Sequence, residues 1–177
     1  GTWSKKAYKE AQKYGEARVA ASGEDTGFTA IPDQQAVRVS EDASYLYICQ
    51  NETIGGIAWP QLPDTQGKPL VADMSSCFLA EPTDVSRYGL IWAGAQKNVG
   101  PAGVTIVIAL DATPTIMSYQ TMVESKSLYN TPPCWPIYIC GLVFQWIEEQ
   151  GGLAAMGERN GEKAALLYDC IDQSDLY

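Results

Sequence analysis

The chain has 177 residues, 46% of them hydrophobic and 19% charged, a composition typical of one ordinary globular domain. A net charge of −9 argues against a general nucleic-acid or anionic-membrane surface, and no apolar run reaches membrane-spanning length. The sequence contains no histidine, and its five cysteines form no C-x-x-C pair. We therefore expect no metal site and no Ser-His or Cys-His nucleophile pair.

Short apolar runs separated by longer connections dominate the first two thirds of the chain. A helix with Ser4 as N-cap should end at Gly15, and a short strand is conceivable at 18–20. Short apolar strands are expected at 45–49, 70–73, 90–93 and 104–110. One helical turn is expected at 84–88. This pattern predicts an α/β fold with a mostly parallel sheet flanked by helices.

The last third of the chain has the periodicity of helices. Pro136 suits the first turn of one helix, which should end at Gly151 and Gly152. A second helix is expected from about Leu153 to Ile171. Its inner face should carry five residues: Met156, Ala164, Leu167, Tyr168 and Ile171.

Two chemically active side chains follow neighbouring strands. Asp73 ends one apolar strand, and Lys97 lies just beyond the next, so both should face one crevice at the carboxyl ends of the strands. An acid and a lysine together suit pyridoxal phosphate (PLP): the acid keeps the pyridine nitrogen protonated, and the lysine forms a Schiff base. Small or apolar neighbours predict a desolvated lysine amine. A turn-forming aspartate and a solvated loop lysine remain the alternative.

Longer segments resemble phosphoserine aminotransferase, a family of PLP-dependent, fold-type I, class V aminotransferases. In chain order they are NETI (51–54), VADMSS (71–76), DVSRYG (84–89), AGAQKNVGPAG (93–103), SLYNTPP (127–133) and GLVF (141–144). GAQKN and NTPP are specific to this family. The resemblance covers nearly the whole chain, with the segments in the family's order.

This resemblance implies a role for individual residues. Lys97 would be the catalytic Schiff-base lysine, and Asp73 would be the partner of the pyridinium nitrogen. Trp3 would stack on the cofactor ring, Thr53 would bind the ring hydroxyl, and Gln96 would contact the cofactor phosphate. Read without the family, Trp3 fits a core or interface aromatic and Thr53 a local backbone cap.

The resemblance also implies a homodimer with shared active sites. Asn130 and Thr131 would reach the phosphate of the cofactor bound to the neighbouring subunit, although an Asn-Thr pair before two prolines is also an ordinary turn signal. We expect small-molecule substrates and no nucleic-acid or membrane partner. The expected location is cytoplasmic, and a plastid location stays open if a transit peptide lies upstream.

The whole chain, 1–177, is expected to be a PLP-binding core, the central part of the large domain, without the family's N-terminal segment and C-terminal small domain. Those parts carry the residues that bind substrate, so the isolated chain should be incomplete for activity. The expected reaction, a step of serine biosynthesis, transfers an amino group between glutamate and 3-phosphohydroxypyruvate, giving 2-oxoglutarate and phosphoserine. The alternatives are another fold-type I PLP enzyme, such as a cysteine desulfurase, and a truncated, non-catalytic paralogue acting as a dimerising scaffold.

Overall fold

A computed structural model describes residues 1–109, 119–128 and 131–174 of the chain. Within them, one helix precedes six strands and three helices follow. The helices are α1 (Thr2–Ala11), α2 (Tyr119–Glu124), α3 (Cys134–Glu149) and α4 (Gly152–Asp172). The strands are β1 (Leu46–Cys49), β2 (Asn51–Glu52), β3 (Ile57–Ala58), β4 (Leu70–Asp73), β5 (Leu90–Gly94) and β6 (Thr105–Ala109). Two short 3-10 turns lie at Gln34–Ala36 and Val85–Arg87.

Four of the strands form one mixed, mostly parallel sheet in the order β1-β4-β5-β6. The pairs β1–β4 and β4–β5 are parallel, and β6 runs antiparallel to β5. Asp73 is in register with Cys49 on one side and with Trp92 on the other. β2 and β3 form a separate antiparallel ribbon directly after β1. The predicted fold class is therefore confirmed.

The central strands β4 and β5 carry the core. Leu70, Ala72, Ile91 and Ala93 are at most 2% exposed, so these strands are covered on the faces that those side chains occupy. This explains why they read in the sequence as short apolar runs. The hydrophobic effect thus fixes the two strands whose carboxyl ends bear Asp73 and lead to Lys97.

Two predictions for the N-terminal part were wrong. α1 begins at Thr2 with Gly1 as N-cap, so Ser4 lies inside the first turn, where its amide and hydroxyl both donate to the Glu52 carboxylate. The strand suggested at 18–20 does not form. Val19 there is exposed, and the segment is joined to the rest by the Arg38 amide, which donates to the Ala20 carbonyl.

Both C-terminal helices form, but the buried face of α4 differs in part from the one predicted. α3 begins at Cys134, which places Pro136 within the first turn, where a missing N–H costs nothing. In α4 Met156 is buried, whereas Leu167 and Tyr168 are about 60% exposed and Ala164 is exposed as well. The reason is that α4 contacts the 80–82 segment through its first half: Asn160 donates to the Ala80 carbonyl at 2.9 Å.

α3 presents a broad apolar surface to solvent. Its exposed large side chains are Trp135, Ile137, Tyr138, Leu142, Phe144 and Trp146. Among the helices described, none is long and apolar enough to cross a membrane. α2 was not predicted from the sequence, and Leu110, the expected end of the fourth strand, lies outside the described residues.

Two isoleucines test the assignment of the core. Ile91 in β5 is 1% exposed, and Ile54 beyond β2 is 65% exposed. We expect Ile91→Ala to lower the free energy of unfolding by about 2–5 kcal/mol, because a cavity opens in the sheet. Ile54→Ala, which removes the same atoms, should change it by no more than about 0.5 kcal/mol. Urea unfolding measures both, and equal effects would contradict the described packing.

Candidate active site

Lys97 lies in a turn that is fixed by its neighbours on both sides. Ala95 and Val99 are buried beneath the turn, at 0% and 1% exposure, and the Val99 amide donates to the Ala95 carbonyl. The Asn98 side chain donates to the carbonyl of Phe78 at 2.9 Å. With positions 95 and 99 facing inward, the side chain at 97 faces solvent. The expectation of a desolvated lysine was therefore wrong for this chain.

The amine of Lys97 meets two other residues that the sequence singled out. Lys97 Nζ donates to Thr53 Oγ1 at 2.7 Å and lies 5.1 Å from the centre of the Trp3 ring. The indole Nε1–H of Trp3 also donates to Thr53 Oγ1, at 3.2 Å. One hydroxyl oxygen therefore accepts from both the lysine and the indole, and the three side chains form a compact group.

Glu52, which the sequence analysis did not single out, determines where Trp3 lies. Its carboxylate is buried and accepts the amide hydrogens of Trp3 at 2.9 Å and Ser4 at 2.7 Å, together with the Ser4 hydroxyl at 2.6 Å. Burial alone would raise the pKa of Glu52, but the hydrogen bonds from Ser4 and Trp3 outweigh burial and lower the pKa below 4.5. Its stabilising contribution is therefore complete above pH 4.5 and is lost as the pH falls through the lowered pKa.

Ser75 orients the carboxylate of Asp73. Its amide and hydroxyl donate to Asp73 Oδ1 at 2.9 and 2.6 Å, while the Ser75 hydroxyl oxygen accepts from the Gly94 amide at 3.0 Å. Within the described residues, Asp73 accepts two side-chain hydrogen bonds, and both are on Oδ1. Oδ2 can therefore accept a hydrogen bond from another donor. The Asp-x-Ser spacing of 73–75 is a recognisable turn signal that could have identified Ser75 from sequence.

No side-chain hydrogen bond to Lys97, Thr53 or Trp3 is seen for the other predicted cofactor-binding residues that the structure describes. Gln96 is exposed beside Lys97, and its side-chain amide lies against Gly94, where an added Cβ would come within 2.7 Å of Gln96 Oε1. Thr131 is exposed just before α3. Asn130 lies outside the described residues. The structure therefore brings together Lys97, Thr53 and Trp3, with Asp73 at the end of the adjacent strand.

The two thiols near Asp73, the buried Cys49 and the half-buried Cys77, are poorly suited to nucleophilic chemistry. Burial raises the pKa of Cys49 to about 12 and that of Cys77 to about 11, and the nearby charge of Asp73 adds to both. Cys134 and Cys170 are exposed. Among the residues described, no three His, Cys, Asp or Glu side chains are grouped as metal ligands would be.

Comparison with known proteins identifies the family. A family model for aminotransferase class-V matches residues 1–177. The chain belongs to this family. Phosphoserine aminotransferase from Laribacter hongkongensis (strain HLHK9) is 52% identical over 183 residues, which cover 99% of this chain and 51% of that protein. The enzyme of the same name from Herminiimonas arsenicoxydans is 50% identical and is likewise 51% covered. The class-V chain thus spans about half the length of the curated relatives it matches.

Solved structures agree with this class-V assignment. Phosphoserine aminotransferase from Bacillus circulans subsp. alkalophilus superposes with a TM-score of 0.91 at 45% identity, covering 98% of this chain and 50% of that one. The PLP-bound phosphoserine aminotransferase from Trichomonas vaginalis gives 0.81 at 39% identity, covering 98% and 55%. The resemblance inferred from the sequence segments and the fold-type I architecture are both confirmed.

A matched pair of serines in this class-V chain tests the role of Ser75. Ser86 makes the same local contacts to Asp84, at 3.1 and 2.6 Å, but on an exposed turn. We expect Ser75→Ala to lower the free energy of unfolding by about 1–3 kcal/mol, because the Gly94 amide loses its acceptor. Ser86→Ala should stay within about 0.5 kcal/mol. Denaturant unfolding compares them, and a larger loss for Ser86→Ala would contradict the assignment.

Proposed function

We propose that this chain forms the PLP-binding core of a phosphoserine aminotransferase. The observation that carries the proposal is the convergence of the Lys97 amine, the Thr53 hydroxyl and the Trp3 indole, with Asp73 at the end of the neighbouring parallel strand. About 50% identity to phosphoserine aminotransferases over essentially the whole chain supports the choice of reaction. Residues 1–177 would be the central part of the large domain in a longer enzyme.

These groups fit PLP by their chemistry. The cofactor requires an amine that can bond to its aldehyde, a flat face for its ring, a polar partner for its ring hydroxyl and an acid for its pyridine nitrogen. Lys97, Trp3, Thr53 and Asp73 supply these in turn. The side chain of Lys97 is exposed, so a cofactor can reach its amine. When bound, PLP supplies an electron sink for the charge that develops at the substrate Cα.

Lys97 and Asp73 would do the catalytic work of this chain. Lys97 Nζ would hold the cofactor at its aldehyde carbon and would serve as the general base that takes the proton from the substrate Cα. Asp73 would accept the pyridinium N–H, and Oδ2 is the oxygen available for it because Ser75 already donates twice to Oδ1. That carboxylate stabilises the positive charge on the ring nitrogen, which preserves the electron sink.

Three further residues would hold the cofactor phosphate. Gln96 is adjacent to Lys97 and exposed on the same turn, so it can donate to a phosphate oxygen. Asn130 and Thr131 would reach the cofactor bound to a second subunit. A homodimer with shared active sites is therefore part of the proposal, together with a cytoplasmic location.

The proposed reaction uses two substrate pairs at one site. Glutamate would give up its amino group and depart as 2-oxoglutarate, and 3-phosphohydroxypyruvate would receive that group and depart as phosphoserine, so the amino group would be conserved over the full cycle. Cys49 is buried and Cys77 half-buried, and both have raised pKa values, so neither of these two thiols near Asp73 supplies the reactive thiolate that a cysteine desulfurase needs.

Lys97→Ala tests the proposal most directly. In the protein as its gene encodes it, wild type with added PLP should develop the yellow absorbance of lysine-bound cofactor and convert phosphoserine and 2-oxoglutarate to glutamate. Lys97→Ala should lose both, because the bonding amine is gone. Lys163→Ala, an exposed lysine of α4, should retain both. Absorbance spectra and a coupled glutamate assay provide the measurements.

The same assay separates the rivals. Yellow absorbance with transamination of alanine but not of phosphoserine would replace the substrate assignment and leave the fold-type I assignment in place. A wild-type protein that dimerises but neither binds PLP nor transaminates would establish the non-catalytic scaffold instead.

Thiol labelling tests the argument against a desulfurase. At neutral pH iodoacetamide should modify Cys134 and Cys170 much faster than Cys49 and Cys77, because Cys49 is buried, Cys77 is half-buried and burial raises the pKa of both. Mass spectrometry of the digested protein locates the modified residues. Rapid labelling of Cys49 or Cys77 in the folded protein would count against the described packing and restore the desulfurase alternative.

A further inference from the structure

A buried carboxylate lies directly behind the residues assigned to the cofactor. Glu52 is 6% exposed, yet it belongs to the short β2–β3 ribbon rather than to the main sheet. Its two oxygens divide their contacts: Oε2 accepts the amide of Trp3 at 2.9 Å, and Oε1 accepts both the amide and the hydroxyl of Ser4, at 2.7 and 2.6 Å. A carboxylate from a distant part of the chain thus caps the first turn of α1.

The energetics favour a rigid arrangement. A buried carboxylate is costly unless its oxygens are hydrogen-bonded, and here three donors satisfy Glu52. The first turn of a helix has unpaired N–H groups and a partial positive charge, so an anion there is stabilised. Hydrogen bonds to an ionised acceptor are roughly twice as strong as neutral ones. Moving the Glu52 carboxylate away would therefore leave the carboxylate and the amides of Trp3 and Ser4 without these hydrogen bonds.

Glu52 and Thr53 together bind the two ends of one tryptophan. Glu52 accepts the backbone N–H of Trp3, and Thr53, the next residue, accepts its indole N–H at 3.2 Å. These two hydrogen bonds, made to consecutive residues, fix both the backbone position of Trp3 and the direction of its ring. Lys97 then joins the same Thr53 oxygen at 2.7 Å.

We propose that Glu52 is a positioning residue, which acts through the first turn of α1 to hold the Trp3 indole beside Lys97. This inference rests on the proposed function, because Trp3 matters to the reaction only if its ring lies against the cofactor. Glu52 itself touches neither Lys97 nor a reacting atom in this assignment. Its loss should therefore shift the ring and weaken cofactor binding without removing the amine that bonds to PLP.

Gly1 offers a second way to displace the same carboxylate. A Cβ added at Gly1 would lie 2.3 Å from the Glu52 carboxyl carbon, far inside contact distance. Gly1→Ala must therefore displace the Glu52 carboxylate relative to the first turn of α1 while leaving Glu52 present and charged. Glu52→Gln instead keeps the shape but removes the charge and directs an NH2 group toward N–H donors.

The test compares three variants of the protein as its gene encodes it: Glu52→Gln, Gly1→Ala and the control Glu24→Gln. Glu24 is an exposed glutamate that contacts the same helix through Lys5, at 3.7 Å. Without cofactor, the readouts are the NMR resonance of the Trp3 indole N–H and the hydrogen exchange of the Trp3 and Ser4 amides. With PLP, the readout is the dissociation constant from the yellow absorbance.

We expect Glu52→Gln and Gly1→Ala to move the Trp3 indole resonance, speed both amide exchanges and weaken PLP binding about tenfold or more. Glu24→Gln should match wild type in all three. An unchanged indole resonance, or an unchanged PLP affinity, in a folded Glu52→Gln variant would overturn the inference; if that variant does not fold, the same outcomes in Gly1→Ala decide. Failure of wild type to bind PLP would refute the proposed function instead, and the cofactor-free readouts would still report on Glu52.

Discussion

The parallel pairing of β4 with β5 is the constraint on which the rest of the site depends. Because both strands run in the same direction, Asp73 and the turn that carries Lys97 emerge at the same edge of the sheet. Buried Ala72 and Ala93, both 0% exposed, keep the two strands packed up to that edge. The antiparallel β6 then returns the chain, so Lys97 lies in a short, anchored connection rather than in a long crossover.

Backbone hydrogen bonds extend this edge into a platform. The Gln50 amide donates to the Asp73 carbonyl at 3.0 Å, and the Ser76 hydroxyl donates to the Asn51 carbonyl at 2.9 Å. The exit of β1 is thereby joined to the exit of β4, and the two residues that follow Asn51, Glu52 and Thr53, acquire fixed positions. The side chains around Lys97 are thus held by main-chain geometry as well as by their own contacts.

Sequence reasoning was most successful where hydrophobic burial decides the structure. The central strands, Asp73 and Lys97 follow from short apolar runs and from the rule that ligands bind at the carboxyl ends of strands. The burial of Glu52 could not be predicted, because an acid in a polar NET segment gives no sign that it will be only 6% exposed and bonded to Trp3, 49 residues earlier in the chain. The predicted burial of Leu167 and Tyr168 was wrong for a different reason. Helical periodicity identifies an apolar face but does not show what covers it.

The surface of α3 bears on the proposed homodimer. Trp135 and Tyr138 are 69% and 58% exposed, and their rings contact each other at 5.9 Å between centroids. Together with Trp146 they belong to an apolar surface of the kind that marks an interaction site. This helix begins three residues after Thr131, which the family resemblance assigns to a cofactor in the neighbouring subunit. A second subunit seated on α3 would remove these apolar side chains from water, which is the gain that a homodimer needs.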